Sequence, residues 1–336
     1  MKKIIGFILL VSLLFSCSKT NNDGISFYHW KAKAVGSDLT KQTLEQTGTS
    51  TIYLHYFDVT PKKKRSYWDD GIYPDYVLKE VDPLYKDYDI VPVVFIANDI
   101  LKDEPNIEKL TSKIAGLIDQ ISQHHFNTTH SEIQLDCDWN QSTRAAFFQL
   151  IESLKERYTV TATIRLHQIK YPEKTGVPPI DKGVLMLYNV GDLKNFEQNS
   201  ILESSIVSAY VSSQTDYPIE LDLALPLFSQ TVLKNKENKE NKVKLIKGTD
   251  RELLESDAHF QKTGPLTFEV VNDTLYNGFY LSNGYQLKLE EVTEQEIIAA
   301  YQLIKASQLN ISNILFYHLD DPTLQAIDLD KIIEQL

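Results

Sequence analysis

Short apolar and β-branched runs alternate along most of the chain with stretches of helical periodicity. The runs Ser26–Ala32, Thr51–Val59, Ile90–Asn98, Glu132–Trp139, Thr159–Gln168, Gly183–Val190, Ile219–Phe228 and Ile314–Leu319 read as strands. Several are apolar almost throughout, as suits parallel strands covered on both faces. Between the third and fourth runs, Ile107, Leu110, Ile114, Leu117, Ile118 and Ile121 share one helix face. After the fourth, Phe147, Phe148, Ile151 and Leu154 share another, with Ser142 or Thr143 to cap it. This repeated strand-then-helix order predicts an α/β chain folded as a (β/α)8 TIM barrel over residues 25–336.

The repeat weakens in two places. Pro172, Pro178 and Pro179 interrupt the helix due after the fifth strand, and polar residues dilute the stripe around Leu193–Val211, so truncated helices are expected there. Between the seventh and eighth strands the spacing is too long for one helix. It holds a lysine, asparagine and glutamate run, Lys234–Lys242, that reads as a solvated loop. Beyond it Leu266–Val271, Thr274–Leu281 and Tyr285–Leu289 read as short antiparallel strands, turned at Asn272-Asp273 and Asn283-Gly284. A small β-rich insertion is therefore expected over about 229–292, with helix Thr293–Ser307 returning the chain to the barrel.

The first residues follow a different logic. Lys2 and Lys3 precede an apolar run from Ile4 to Phe15, which suits a cleaved secretion signal and is too short for a permanent span. It ends Leu14-Phe15-Ser16-Cys17, which resembles the bacterial lipobox. That resemblance implies a signal peptide over 1–16, lipidation of Cys17, a polar tether over 17–24, and a lipid-anchored place in the cell envelope, at the outer membrane. Cys137 is then the one remaining cysteine, so stability has to come from a core. Loss of Lys2 and Lys3 takes the formal charge from −12 to about −14, which disfavours nucleic acid and anionic lipid as partners and suits a neutral ligand.

In such a barrel the functional side chains sit at the C-terminal ends of the strands. On the fourth, Leu135-Asp136-Cys137-Asp138-Trp139-Asn140 sets Asp136 and Asp138 two residues apart, and so on one side. Two carboxylates that close raise at least one pKa, as a general acid requires. The alternative is a structural network in which Arg165 neutralises both. The other strand ends supply His29, Trp30, Tyr56, Asp58, Asn98, Asp99, Arg165, His167, Tyr188, Asn189, Tyr317, His318 and Asp320. Aromatic faces with carboxylates and amides suit an oligosaccharide or glycan, and Trp139 and Asn140 join the candidate contacts. His124, His125 and His130 lack a spaced acidic or cysteine partner, so no metal site is expected. With no Gly-rich phosphate loop, no cofactor is expected either.

These motifs resemble chitinase-like proteins of glycoside hydrolase family 18. That family carries DxxDxDxE at the end of its fourth strand, where this chain has Asp136, Asp138 and Asn140. Met186-Leu187-Tyr188-Asn189 is similar to its MxYD sixth strand, and Ala224-Leu225-Pro226-Leu227-Phe228 to its GxP seventh. Phe316-Tyr317-His318-Leu319-Asp320-Asp321 is similar to its last strand, and many members carry an insertion after the seventh. Asn140 stands where the family has its catalytic glutamate, Ile133 where it has the first aspartate, and the SxGG element is replaced by Val94-Phe95-Ile96-Ala97-Asn98-Asp99. The chain is more similar still to a family of bacterial lipoproteins with an LDxD element on the same strand, a likeness that supplies no activity.

The family 18 reaction uses the substrate acetamide as nucleophile and the glutamate as acid, so an amide at Asn140 removes the chemistry and leaves the groove. Three readings follow. One is a carbohydrate-binding lipoprotein with Asp136, Asp138, Tyr188 and Tyr317 lining the cleft. Another is a divergent hydrolase with Asp138 as acid and Asp136 as its modulator. The third is a structural or assembly lipoprotein that inherited a barrel.

Overall fold

The computed structural model describes residues 24–63, 70–102, 104–235 and 242–336. The expected signal peptide, Cys17 and nearly all of the tether lie outside those residues, as does the middle of the Lys234–Lys242 run.

Eight parallel strands form the ring: β1 (Ser26–His29), β2 (Thr51–Pro61), β3 (Asp89–Ile96), β4 (Glu132–Asp136), β5 (Thr159–Arg165), β6 (Lys182–Met186), β7 (Glu220–Pro226) and β8 (Ile311–Tyr317). Each pairs with the next, and β1 pairs with both β2 and β8, which closes the barrel. The predicted TIM barrel is the observed fold. Alternate side chains sort to its two faces. Ile133, Leu135 and Cys137 are buried in the main core, while Gln134 accepts a hydrogen bond from Tyr28 across the interior at 2.6 Å. Outside, helices Ile107–Phe126 and Arg144–Lys155 bury the two predicted stripes. Asn106 and Asn127 cap the longer one, rather than chance ends of the pattern.

Several strands stop two to four residues earlier than the sequence pattern suggests. His29, Ile96, Asp136, Arg165 and Met186 are the last residues in their ladders. Of the residues beyond them, Trp30 and Asn189 line the mouth rather than extend the ladder. After Arg165 the chain turns at once into helix Leu166–Lys170, so His167 and Gln168 leave the expected strand.

β2 carries a bulge between His55 and Phe57, and a short antiparallel strand, Ile72–Asp75, extends it outward. After β7 the chain builds a separate five-stranded sheet, in the spatial order Val243–Lys247, Gln230–Asn235, Tyr285–Glu290, Thr267–Val270, Phe260–Lys262. It has its own core of Leu233, Ile246, Phe268, Leu287 and Leu289. The single strand expected over Thr274–Leu281 is a hairpin instead, Thr274–Tyr276 against Phe279–Leu281. Its turn is Asn277-Gly278, both at positive φ (46° and 77°), the conformation a tight two-residue turn demands.

Candidate functional site

At the C-terminal end of the ring, between the strand ends and the insertion, lies a cavity of about 800 Å3. Its floor is aromatic. The Tyr317 ring at the end of β8 lies 5.6 Å from Trp30, just past β1, and 5.6 Å from Phe228, just past β7. Tyr188 stacks on Tyr317 at 4.4 Å and 16°, nearly parallel, and Trp30 leans on His55 at 4.6 Å. The Tyr317-His318 peptide is cis. Pairs of this kind hold ring faces in fixed planes.

Charged groups surround that floor in pairs. The bulge in β2 sets His55 and Asp58 on one face, and His55 Nε2 donates to Asp58 at 2.7 Å. Lys31 reaches Asp320 at 2.9 Å; burial would raise the Asp320 pKa, but that bond brings it below the usual carboxylate range. Arg165 donates from Nε and Nη2 to the two oxygens of Asp138, at 2.5 and 3.0 Å, a two-pronged grip. Asp136 lies deeper and takes a 2.7 Å bond from Thr163 Oγ1. Burial pushes its pKa up to about 6, Asp138 adds to that, and Arg165 and Thr163 pull the other way. Burial likewise drops His29 to about 4 and His318 to about 3. At His29 the tautomer is fixed by its partners. Lys33 O can only accept, so Nε2 carries the hydrogen, and Nδ1 accepts from Tyr85 Oη at 2.8 Å.

Among the side chains expected at the site, Trp30, Arg165, Asn189, Tyr317 and Asp320 line this cavity together. Asp136 and Asp138 do not: one is buried beneath the mouth and the other is half-exposed beside it. The rest need correction. Trp139 is fully buried, stacks on Phe147 at 5.0 Å and donates to Thr175 O, because one more residue past β4 turns it outward under the helix. Tyr56 sits at the bulge and faces the helix layer, with its hydroxyl near Ser122 and His130. Asn98 belongs to the turn Asn98–Leu101 after β3, away from the cavity, with a buried Oδ1. Asn140 is exposed and folds back on its own turn, where Oδ1 accepts from Ser142 N and Oγ at 2.9 and 2.7 Å. His167, on its short helix, reaches only a small side recess with Tyr210, and Tyr188 supports Tyr317 from behind.

The structure adds residues that the strand-end rule passes over. His55 is hidden by the bulge, since strict alternation gives no reason to pair it with Asp58. Gln230 and Ser200 join the cavity wall through a buried network. Glu290 accepts from Ser200 N, Ser200 Oγ and Gln230 Nε2 at 2.6–2.7 Å and pairs with Lys288 at 2.6 Å. Lys288 in turn donates to the carbonyls of Asn195 and Gln198. The insertion is thereby fastened to the loop after β6.

No protein-family model and no curated protein sequence matches the chain. In fold it is similar to the spore cortex-lytic enzyme SleL of Bacillus cereus, with a TM-score of 0.51 at 11% identity over 93% of this chain and 74% of that one. A glycoside hydrolase family 18 N-acetylglucosaminidase from Paenibacillus barengoltzii gives 0.49 at 13% identity, over 93% and 99% of the two chains. A chitinase from Bacteroides thetaiotaomicron gives 0.46 at 10% identity, over 88% and 89%. The shared feature is the fold, a closed eight-stranded TIM barrel.

Proposed function

We propose that the chain is a carbohydrate-binding lipoprotein of glycosidase-like ancestry that lacks the usual catalytic glutamate. The observation that carries this reading is an open, aromatic-floored cavity without an acid at the expected place. Asn140 has turned away to cap its own loop, while Trp30, Tyr317 and Phe228 keep a platform suited to the apolar face of a pyranose. Asp58, Asn189 and Arg165 surround it with groups that take hydroxyls. Passing the purified chain over a broad glycan library tests this. Retention of at least one oligosaccharide at micromolar or weaker affinity is expected, and a library with no retained member contradicts the reading.

A weak hydrolase is the second reading, with Asp138 as the acid and Asp136 as its modulator, because Asp138 stands half-exposed beside the cavity. Both Asp138 oxygens accept from Arg165, so that pair has to open before the carboxyl can reach a substrate.

The lipobox-like Leu14–Cys17 segment supports the anchor. Expressed in a bacterial host, the chain is expected to partition with membranes, and Cys17→Ser to release it into the soluble fraction. An unchanged membrane fraction for that variant contradicts lipidation at Cys17.

A further inference from the structure

Few large apolar side chains are exposed among the described residues, and two of them meet at one cavity. Tyr76 is 68% exposed and Leu245 is 46% exposed, and both line the space above Trp30 and Tyr317. They arrive from unrelated segments. Tyr76 directly follows the strand Ile72–Asp75, whose pairing of Asp75 with Asp58 brings the chain back to the mouth. Leu245 lies on the edge strand of the insertion.

Neither residue is explained by the fold. The Tyr76 ring stacks on no other ring and its hydroxyl finds no hydrogen bond among the described residues, yet its backbone is held at φ 45°, a region a bulky residue enters at a cost. Leu245 stands apart from the insertion core that takes its neighbour Ile246. On the same face of that strand, two residues on, Lys247 also lines the cavity, so an apolar contact and a donor sit side by side. The volume of about 800 Å3 is toward the upper end for small-molecule sites, about 300–1,000 Å3.

We infer that the cavity takes a chain of sugars, with Tyr76, Leu245 and Lys247 forming an outer subsite for a ring beyond the one seated on Trp30 and Tyr317. The inference rests on the sugar-binding reading above and adds length to it. Tyr76 and Leu245 cover the apolar face of the outer ring, and Lys247 donates to its hydroxyls.

Calorimetric titration of the full chain with two probe series tests it: β-1,4-linked N-acetylglucosamine oligomers and β-1,4-linked glucose oligomers, each from two to six units. Affinity for the bound series is expected to rise about tenfold with length, the size expected when one exposed ring face is covered. Tyr76→Ala and Leu245→Ser are each expected to remove most of that rise, leaving disaccharide affinity and thermal melting as in the parent. Tyr76→Phe is expected to keep it. Binding that ignores length overturns the outer subsite alone, as does a Tyr76→Ala chain with an unchanged length dependence or one weakened equally at every length. Absence of binding by every member of both series overturns the outer subsite, and a broad glycan library with no retained member overturns the sugar reading beneath it.

Discussion

Lys288→Ala is expected to lose about 3–5 kcal/mol of stability in urea unfolding, the range for breaking a buried ion pair from one side. The pair is closed in every direction. Lys288 and Glu290 are both buried, 2.6 Å apart, and their remaining hydrogen-bonding capacity goes to Asn195 O, Gln198 O, Ser200 and Gln230. Removing the ammonium leaves a carboxylate in a water-poor place with its main counter-charge gone. Removing both charges together, as Lys288→Met with Glu290→Gln, avoids that situation and is expected to recover much of the loss. The effect should be local as well as global, since this pair fastens the insertion to the 192–200 loop. Backbone amides of that loop are expected to exchange faster in Lys288→Ala. A single variant within about 1 kcal/mol of the parent contradicts the account of the network.

Asp136→Asn is expected to stabilise the protein above pH 6, by at most roughly 3 kcal/mol, and to be nearly neutral near pH 4. The sign follows from proton binding. The folded carboxyl holds its proton up to about pH 6 while the unfolded one releases it near pH 4, so between those values the native state binds more protons. Parent stability from this group therefore falls as pH rises through the window, and an amide cannot follow. His29 and His318 act in the opposite sense. Their folded pKa values lie below the unfolded value near 6.5, so each adds stability as pH rises toward 6.5. They are present in both chains, which is why the difference between parent and variant, measured from pH 4 to pH 8, isolates Asp136. A difference that is flat with pH contradicts the burial of a reluctant acid at this position.

The barrel was legible because its strands are apolar runs at regular spacing and its helices carry clean stripes such as Ile114, Ile118 and Ile121. The site was legible only where a side chain projects from a strand end without interruption, as at Trp30, Arg165 and Tyr317. Two local events broke the rest. The bulge at β2 exchanged the expected Tyr56 for His55 beside Asp58, and the exit from β4 sent Trp139 and Asn140 to the outside. The insertion was harder to read. In Tyr285–Glu290, alternating Leu287 and Leu289 identify one buried face, and Lys288 and Glu290 suggest a wet one. That second face packs on the loop after β6, a partner about 90 residues distant that no local pattern announces. The Asn277-Gly278 pair is a hairpin signal that the reading of Thr274–Leu281 as one strand passed over.

The most direct test of the central claim is to follow one retained glycan and the sugar ends it exposes in the same sample. The account predicts that the barrel mouth holds the oligosaccharide reversibly and that the number of reducing ends stays at the level of a protein-free control over many hours. A steady growth of reducing ends that disappears when the cavity is blocked would contradict it, and would make this barrel an enzyme.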